Sequence, residues 1–356
     1  MRVLQLIDSL DAGGAERIAV SYANALADKI VFSALIATRK EGQLYDQLSE
    51  NVTYLFLNKK KAVDFGAVLR LRKFIIKNQV AIIHAHGSSF FTAVLTKLIL
   101  PKIKIIWHDH YGARSTQSRK KNQVLIFCSF FFSSIFVVNL QLKEWSKNNM
   151  FCKKVIFVPN FASMRDESKK ITNLKGVENK RIVFLANLKN PKNHIAILKA
   201  FYDLKIKDLG WTLHLIGKDY EDDYSQVLKD FIKSNFLENH IHLYGSRSDI
   251  QYILSQATVG VLASTNEGFP VTLLEYALAS LPVISTNVGY CSEIINDGVN
   301  GLLFDPLNES QVKKSLKKII GDEPFRKMIA ENFKQTVIKN YSKEIVVEKL
   351  MAEYKK

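Results

Sequence analysis

The sequence has few cysteines, and their spacing favours neither a disulfide nor a metal site. Cys128, Cys152 and Cys291 are far apart, form no CxxC pair and have no histidine at metal-ligand spacing. Structural disulfides belong to oxidising compartments. We therefore expect three reduced thiols in the core of a cytosolic protein.

Long apolar runs are also missing. The longest, residues 124–138 (VLIFCSFFFSSIFVV), has fifteen residues, whereas a helix needs about twenty to cross a bilayer. The strand-like run RVLQLID at residues 2–8 is too short and begins too early for a signal peptide. We expect no segment that spans a membrane.

Acidic residues are scarce in the first half of the chain. Residues 1–170 contain 26 Lys and Arg but 12 Asp and Glu, whereas residues 171–356 contain 24 and 22, so the first half carries almost all of the net charge of +16. This asymmetry indicates an anionic partner, such as nucleic acid or an acidic bilayer face, or simply a soluble basic surface. Because no nucleic-acid-binding motif is recognisable, we do not expect nucleic acid.

The glycine fingerprint of dinucleotide-binding proteins is incomplete. After the first strand, DAGGAE (residues 11–16) supplies only Gly13 and Gly14, and the GxGxxG pattern is absent. That counts against a dinucleotide cofactor. Adjacent glycines at a helix start still allow the backbone to approach a phosphate, although an ordinary strand-to-helix turn is an equal alternative.

The sequence does contain an alternation of strand-like and helical runs. Continuous aliphatic strands separated by helices indicate a parallel α/β sheet. At 356 residues, the chain is long enough for two such domains of about 150 residues each. Strands are predicted at residues 2–8, 31–38, 52–58, 80–86, 103–110, 133–139 and 154–160, and in a second series at residues 181–187, 211–217, 241–245, 259–264, 282–286 and 301–304.

Two doubly wound, Rossmann-like domains facing each other across a cleft are the predicted architecture. They would occupy residues 1–165 and 166–335, with a polar linker at residues 163–180. A C-terminal helix at residues 336–356 is predicted to pack back toward the first domain. Such sheets bind ligands beyond the carboxyl ends of their strands, so unusual residues at strand ends are the candidates for a site.

Four histidines end two strands of the first series. His84 and His86 end one in HAH, and His108 and His110 end the other in WHDH. Such residues can be metal ligands, general acids or bases, or hydrogen-bonding groups for a polar ligand. No third ligand type at suitable spacing favours a metal. We expect a structural role for His84 and a substrate role for His108 and His110.

Two lysines follow the first strand of the second series. Lys189 and Lys192 lie in LKNPKNH, on a loop that enters a helix. They could hold phosphate oxygens there or be an ordinary solvated pair. Their position at a strand end favours the functional interpretation for Lys192.

Two glutamates mark the stretch NEGFPVTLLEYALASLPVI (residues 266–284). Glu267 opens a Gly-Pro turn, and Pro270 suits the first turn of the following helix. The free amides of Val271, Thr272 and Leu273 would then bind an anion. The helix dipole favours acidic residues near a helix start, which accounts for Glu267. It does not account for Glu275, which lies two turns further among apolar residues and needs a polar partner.

This stretch is similar to the E-x7-E signature of retaining glycosyltransferases of family 4, which have the GT-B fold of two Rossmann-like domains. The segments GGAER, HAH, HDH, VPN, LKNPKNH, GSRSDI and VGYCSEIINDGVNGLLF also match, in order. The resemblance therefore covers nearly the whole chain. Within the family, the sequence resembles bacterial enzymes of surface-polysaccharide assembly.

The resemblance implies that an acceptor binds the first domain and a nucleotide-diphosphate sugar binds the second. Glu267 would be catalytic and contact hydroxyl groups of the donor sugar, with His108 or His110 near the reacting sugar, while Glu275 would accept hydrogen bonds from the ribose. Lys192 would neutralise the diphosphate. The implied donor-binding residues are Gly13, Gly14, Asn187, Lys189, Lys192, Gly268, Phe269, Pro270, Val271, Thr272, Leu273 and Glu275, with Tyr244, Gly245 and Arg247 near the nucleobase.

One residue departs from the family pattern. The family often has an arginine five residues before the lysine, where this chain has Asn187. Phosphate binding would then depend on Lys192 and on helix amides, with Lys189 assisting. The departure bears on donor affinity or choice rather than on the reaction class.

The implied reaction is transfer of a hexose with retention, in the biosynthesis of capsule, O-antigen or exopolysaccharide. UDP is the expected nucleotide and GDP the alternative. No metal cofactor is expected. The acidic run EDD (residues 221–223) is typical of a solvated helix start rather than of a DxD-like metal-binding motif.

The implied acceptor is a glycan or a lipid-linked saccharide at the cytoplasmic face of the membrane. The basic run at residues 114–123 and the apolar residues after it could rest on an anionic bilayer, or form a buried helix and strand. The alternatives in function are a GT-B sugar-nucleotide epimerase or hydrolase, a non-catalytic sugar-nucleotide-binding subunit, and a basic nucleic-acid-binding protein.

Overall fold

The chain divides into two compact units in the computed structural model, which describes residues 1–11, 13–162 and 170–356. The first unit contains Met1–Phe161 and Lys343–Lys356, and the second contains Ala162–Ser342. The predicted boundary between residues 165 and 166 lies outside the described residues, as do residues 163–169 of the predicted linker.

Two parallel sheets, of seven and six strands, form the cores of the two units. Each predicted strand is present, with ends that differ by at most three residues, so the predicted fold class is confirmed. The strands are β1 (Arg2–Ser9), β2 (Phe32–Lys40), β3 (Thr53–Phe56), β4 (Ile82–His86), β5 (Lys104–Asp109), β6 (Ser134–Val137), β7 (Val155–Phe157), β8 (Arg181–Leu185), β9 (Thr212–Ile216), β10 (Ile241–Gly245), β11 (Val259–Leu262), β12 (Val283–Thr286) and β13 (Leu302–Phe304).

Short polar side chains cap several of the helices by accepting a hydrogen bond from an amide of the first turn. Asp222 accepts from the amide of Ser225 at 3.1 Å, so the acidic run at residues 221–223 caps a helix as expected. Asp322 ends one helix and caps the next. The helices are α1 (Gly14–Ala27), α2 (Phe65–Lys77), α3 (Phe90–Ile99), α4 (Gln123–Cys128), α5 (Leu140–Asn149), α6 (His194–Asp203), α7 (Asp223–Ser234), α8 (Ile250–Ser255), α9 (Val271–Leu278), α10 (Cys291–Ile294), α11 (Glu309–Gly321), α12 (Glu323–Tyr341) and α13 (Lys343–Lys355).

The strand order places one switch point in each sheet. The first sheet runs β3-β2-β1-β4-β5-β6-β7 and the second β10-β9-β8-β11-β12-β13. Connections from neighbouring strands diverge between β1 and β4, and again between β8 and β11. Loops beyond the carboxyl ends of the strands leave a ligand crevice at such points. The glycine pair follows β1, and the HAH histidines lie at the carboxyl end of β4. Lys192 follows β8 and Glu267 follows β11.

Helix α9 packs closely on the second sheet beside its switch point. Gly260 in β11 makes this possible, because a Cβ there would lie 2.7 Å from the ring of Tyr276. The Tyr276 hydroxyl accepts from the amide of Leu185 at 2.8 Å and donates to the carbonyl of Val261 at 3.1 Å. One buried side chain of α9 therefore joins β8 to β11 and fixes the helix that follows Glu267.

Replacing Tyr276 by phenylalanine should lower the free energy of unfolding of the second unit by about 1–3 kcal/mol, because the buried Leu185 amide loses its acceptor. Urea unfolding would measure the loss, and hydrogen exchange should locate it at Leu185. Tyr202→Phe, at an exposed tyrosine of the same unit, is the control. Equal unfolding energies for Tyr276→Phe and the parent protein would contradict this role.

The C-terminal helix α13 belongs to the first unit and packs against α1. It buries Val346, Val347, Leu350 and Tyr354. Tyr354 reaches the first sheet, where its hydroxyl lies 2.6 Å from Nδ1 of His84 in β4. The end of the chain thus contacts one of the histidines singled out by the sequence.

Candidate functional site

Glu267 and Lys192 form an ion pair at the switch point of the second sheet. The Lys192 Nζ lies 2.6 Å from the Glu267 Oε1, which also accepts from the Ser264 hydroxyl at 2.6 Å. The Glu267 side chain is 9% exposed and that of Lys192 is 25% exposed. The structure therefore joins two residues that are 75 positions apart in sequence and were predicted separately.

The backbone around Glu267 is held by two neighbouring loops. The amide of Thr265 donates to the carbonyl of Pro191 at 2.8 Å, which links the loops after β8 and β11. Gly289, with φ of 63°, presses against Glu267 so closely that a Cβ would lie 2.0 Å from the Glu267 carbonyl oxygen. Ser264, Pro191 and Gly289 were not predicted as site residues, although Pro191 and Gly289 lie within the matched segments LKNPKNH and VGYCSEIINDGVNGLLF.

The start of α9 differs from the prediction of three free amides. Pro270 directly precedes the helix, and the amide of Val271 donates to the Phe269 carbonyl at 3.1 Å. The amide of Leu273 donates to the Pro270 carbonyl at 3.1 Å. Two of the three predicted amides are therefore used within the turn, because the chain tightens there before the helix begins.

The ring of Phe269, a residue predicted to contact the donor, packs against other aromatic rings. It is buried and stacks on Tyr290, with ring centroids 5.1 Å apart, and its edge contacts Tyr341 at 5.6 Å. This side chain is an anchor for the loop that carries Glu267 and its neighbour Gly268. Any contact of Phe269 with a ligand would have to come from its backbone.

Glu275 is half-buried rather than enclosed by apolar residues. Its neighbours Leu274, Tyr276 and Ala277 are fully buried, but Glu275 lies on the opposite side of α9. The half-buried residues at positions 271, 272, 275 and 278 recur with helical spacing and therefore share a face. Glu275 thus projects from the same face as Thr272, one turn nearer the start of the helix.

The residues after β8 divide into two groups. Lys192 joins Glu267, whereas Lys189 is exposed and its Nζ lies 5.5 Å from the centroid of the Tyr220 ring. The Asn187 side chain accepts from the amide of Lys218 at 2.9 Å. Asn187 therefore fixes the loop after β9, and the cations of this region come from lysines.

The predicted nucleobase residues lie at the end of β10, the edge strand of the second sheet, or directly after it. The Tyr244 hydroxyl lies 3.1 Å from Nδ1 of His214 and accepts from the amide of Lys175 at 3.1 Å. Gly245 adopts a φ of 68°, and Arg247 is exposed. The order β10-β9-β8-β11 puts two strands between this group and Glu267, so the structure does not bring them into direct contact.

In the first unit, His84, His86, His108 and His110 form a histidine cluster at the ends of β4 and β5. The His84 Nε2 lies 3.2 Å from the His108 Nδ1, and the His86 Nδ1 lies 2.9 Å from the His110 Nε2. The rings of His84 and His86 stack with centroids 4.4 Å apart, and those of His108 and His110 are tilted by 30° with centroids 4.1 Å apart. Alternation along parallel strands puts all four on one face of the sheet.

Burial keeps the histidine cluster uncharged. It lowers the pKa of His84, His86 and His108 well below the usual value, and the neighbouring imidazoles lower these pKa values further. Burial lowers the pKa of His110 to about 3. The His108 Nε2 and the His110 Nδ1 are buried and have no hydrogen-bond partner among the described residues. Such atoms cost free energy in a folded protein unless something binds them.

Three imidazoles of the cluster lie close enough to offer nitrogens to one ion. One ligand atom from each of His84, His86 and His108 lies within 4.8 Å of the others. The rings of His84 and His108 are almost parallel, with an interplanar angle of 7°. Together with the 3.2 Å separation of their facing nitrogens, this geometry suits a hydrogen bond.

Asp109 lies between two of the histidines in sequence but has a different partner. Its carboxylate pairs with the Arg114 guanidinium at 2.5 Å and accepts from the amide of Tyr111 at 3.1 Å. Burial raises the pKa of Asp109, while Arg114 opposes that rise. Arg114 also lies over the Trp107 ring at 5.3 Å. Asp109 thus holds the loop after β5 and does not hydrogen-bond to the histidines.

The glycine pair lies at the start of α1, as predicted. Gly13 precedes the helix and Gly14 is its first residue, where a Cβ would meet nothing within 4 Å. The Glu16 carboxylate folds back over Gly13, and a Cβ on Gly13 would lie 2.1 Å from the Glu16 Oε2. An acidic side chain thus lies where the prediction put phosphate, so a bound anion would require Glu16 to move away.

Residues 124–138 form a short helix with some exposed apolar side chains, followed by a buried strand. The second part forms β6, which is buried, whereas Val124, Phe127 and Phe130 are 60%, 67% and 73% exposed. These three apolar side chains, called the α4 patch, project from one face of α4 and the turn after it. The exposed face of this helix is therefore apolar, like its buried face of Leu125, Ile126 and Cys128. No helix in the described part of the chain has the length and apolar character needed to span a membrane.

Two family models together match almost the whole sequence. Residues 12–163 match the model described as Glycosyltransferase Family 4, and residues 164–336 match Glycosyl transferases group 1. The chain belongs to glycosyltransferase family 4. Its two parallel-sheet units agree with the GT-B architecture of this family.

Similar proteins share the full length of this glycosyltransferase. The O-antigen biosynthesis glycosyltransferase WbnH of Escherichia coli is 25% identical over 95% of this chain and 96% of its own. An α-1,4-N-acetylgalactosaminyltransferase of Campylobacter jejuni, whose name gives a diphospho-undecaprenol-linked saccharide as acceptor, is 25% identical over 94% of this chain and 93% of its own. The crystal structure of Anabaena Alr3699/HepE with UDP and glucose superposes with a TM-score of 0.84 and 17% identity, over 100% of this chain and 99% of that one.

Proposed function

We propose that this glycosyltransferase moves a hexose from a UDP-sugar to a glycan or lipid-linked saccharide, with retention, during assembly of a surface polysaccharide. The named activities of the E. coli and C. jejuni relatives and the UDP and glucose in the Anabaena structure support this class of donor and acceptor. The observation that carries the proposal is the ion pair of Lys192 with Glu267 at the switch point of the second sheet.

The pair offers both charges that a sugar nucleotide needs. Glu267 can accept hydrogen bonds from sugar hydroxyl groups, and Lys192 can neutralise the diphosphate. In the reaction, the bond from the anomeric carbon to the phosphate oxygen breaks and a bond to the acceptor oxygen forms on the same face. The acceptor proton passes to the departing phosphate. A cation fixed beside the leaving group stabilises its developing charge, a contribution of about 3 kcal/mol in sites shielded from water.

The other proposed contacts follow from exposure and charge. Glu275 lies with Thr272 on a half-buried face of α9, where its carboxylate can accept hydrogen bonds from the ribose of the nucleotide. For the first unit, we propose that His108 and His110 hydrogen-bond to the transferred sugar through their unpartnered nitrogens. No metal is needed in this proposal, because Lys192 supplies the positive charge.

Release of nucleoside diphosphate from a panel of UDP- and GDP-sugars, with and without lipid extract, would test the function. We expect release that depends on the extract, a product with the anomeric configuration of the donor by NMR, and no change on addition of EDTA. Release at full rate without extract would favour a sugar-nucleotide hydrolase, and epimer formation would favour an epimerase. Loss of activity in EDTA that Zn²⁺ or Mg²⁺ restores would overturn metal independence.

We further propose that the α4 patch rests on an anionic membrane surface, where the lipid-linked acceptor is found. Arg119, Lys120 and Lys121 are exposed directly before α4. Exposed aromatic side chains beside basic residues suit the interface of an acidic bilayer, because the rings enter the headgroup region while the cations attract anionic lipid. The basic first half of the chain adds to this attraction.

Replacing Phe127 and Phe130 together by serine should reduce binding to phosphatidylglycerol-containing vesicles about 100-fold or more, since each ring loses a burial of roughly 1.5–3 kcal/mol. Sedimentation with vesicles would measure binding, and pure phosphatidylcholine vesicles should bind the parent protein weakly. Phe236→Ser, at a phenylalanine that is 82% exposed in the second unit, is the matched control. Equal loss in the control, or no loss in the double variant, would exclude the α4 patch as the docking surface.

A further inference from the structure

A single buried glutamine joins the two hydrogen-bonded pairs of the histidine cluster. The Gln5 Oε1 lies 2.8 Å from the His86 Nε2, and the Gln5 Nε2 lies 3.4 Å from the Tyr354 hydroxyl oxygen. That hydroxyl lies 2.6 Å from the His84 Nδ1. Gln5 is fully buried in the middle of β1, where a polar side chain interrupts an aliphatic strand. Its amide therefore touches both pairs, one directly and one through α13.

The direction of each hydrogen bond follows from the amide of Gln5. A neutral imidazole has one N–H and one bare nitrogen, and burial keeps these four rings neutral. Since a carbonyl oxygen only accepts, the Nε2 of His86 must donate to Gln5. Its Nδ1 is then bare and must accept from the Nε2 of His110. The remaining nitrogen of His110, Nδ1, is left as a bare acceptor.

In the second pair, His84 and His108, the hydrogen bonds are donated in the opposite direction, from Tyr354 outward to His108. The amide nitrogen of Gln5 donates to the hydroxyl oxygen of Tyr354, so the hydroxyl proton of Tyr354 is free to go to the Nδ1 of His84. His84 then carries its proton on Nε2 and donates to the Nδ1 of His108. The remaining nitrogen of His108, Nε2, is left carrying a proton. Of the two unpartnered nitrogens of the cluster, Nε2 of His108 is thus a hydrogen-bond donor and Nδ1 of His110 is an acceptor.

We propose that Gln5 and Tyr354 are positioning residues that set His108 as a hydrogen-bond donor through Nε2 and His110 as an acceptor through Nδ1. This inference rests on the proposed sugar-transferring function, in which both nitrogens meet sugar oxygens. A hydroxyl group both donates and accepts, so a neighbouring donor and acceptor suit polyhydroxylated ligands. An acceptor next to a donor also discriminates against a ligand that offers only acceptor oxygens, such as a phosphate.

Nitrogen NMR of protein labelled with ¹⁵N in its histidine rings would test the assignment without any substrate. All four rings of the cluster should be neutral at pH 7 and carry the proton on Nε2, which long-range ¹H–¹⁵N spectra distinguish from Nδ1. Single histidine-to-glutamine variants would assign the signals among the eight histidines of the chain. Protons on Nδ1, or different tautomers within one hydrogen-bonded pair, would overturn the proposal.

Three substitutions separate positioning from simple packing. Tyr354→Phe should give His84 and His108 mixed tautomers while His86 and His110 stay unchanged, and Gln5→Met should disturb both pairs. Tyr22→Phe is the matched control, since Tyr22 is also buried and stacks on His84, but its hydroxyl has no hydrogen-bond partner in the described part of the chain. A tautomer change in the control as large as that in Tyr354→Phe would show an effect of packing alone.

Kinetics would then connect the tautomers to the reaction. Tyr354→Phe should lower kcat about two- to tenfold, the range for one hydrogen bond, with little change in KM for the donor, while Tyr22→Phe keeps the parent values. An unchanged kcat in Tyr354→Phe despite altered tautomers would overturn the positioning role. The expected tautomers in a protein that transfers no sugar would instead count against the proposed function alone.

Discussion

Glu267→Gln should lower kcat/KM for sugar transfer by about 10²- to 10³-fold, the usual cost of removing one electrostatic contact to the reacting group. Glutamine keeps the shape of the side chain but has no charge, and its amide cannot form the ion pair that Lys192 makes at 2.6 Å. Formation of nucleoside diphosphate and of glycosylated product would both be measured. Thermal unfolding should show a folded protein, because Glu267 remains partly accessible and keeps Ser264 as a neighbour.

The control for this variant is the same substitution in an exposed ion pair. Lys199 and Glu309 are 3.7 Å apart and 51% and 64% exposed. Pairs of that kind contribute about 0–1 kcal/mol, so Glu309→Gln should leave transfer and stability close to those of the parent. Full transfer activity in Glu267→Gln would mean that the carboxylate does not contact the reacting sugar. Sugar-nucleotide binding without transfer in the parent protein would favour a non-catalytic subunit.

The fold was predictable because both sheets are made of continuous aliphatic runs. Buried strands such as VFLA and VGVL have no polar alternation, which is the mark of a parallel sheet covered by helices. The rule that ligands bind beyond strand ends then selected Lys192 and Glu267 before any contact was known. Lys192 and Glu267 are 75 positions apart and come into contact because β8 lies beside β11. The spacing of residues along the sequence does not indicate which strands are neighbours.

Side-chain direction was the part that sequence patterns could not supply. Glu275 was expected among buried aliphatics, but α9 turns it to the half-buried face. Phe269 was predicted to contact the donor, but no pattern indicated that its ring stacks on Tyr290, where packing on α12 and on the loop after β12 buries it. The contact of Tyr354 with His84 joins residues 270 positions apart. The polar Gln5 within RVLQLID was the one local sign that this strand faces something other than an apolar core.

Lys192→Met should weaken binding of UDP about 10- to 100-fold, because a charge-assisted hydrogen bond to phosphate is worth about 1.5–3 kcal/mol. Methionine has nearly the same length and removes only the charge and the donors. Calorimetry with UDP would measure the change. Glu267→Gln should have the opposite sign in this experiment and bind UDP at least as tightly as the parent, since it removes a carboxylate beside the anion. Weaker UDP binding in both variants would mean that the ion pair acts as one structural unit.

The double variant Glu267→Gln/Lys192→Met decides how Lys192 contributes to transfer. If Lys192 acts on the diphosphate, the two losses in kcat/KM should combine nearly as a product, since each variant removes a contact to a different part of the donor. If Lys192 serves only to hold Glu267, the double variant should be no slower than Glu267→Gln alone, because contacting residues that share one role show strong coupling. We expect the product. The geometry favours it because Ser264 also holds the Glu267 carboxylate, so Lys192 can turn to a bound diphosphate without leaving Glu267 unsupported.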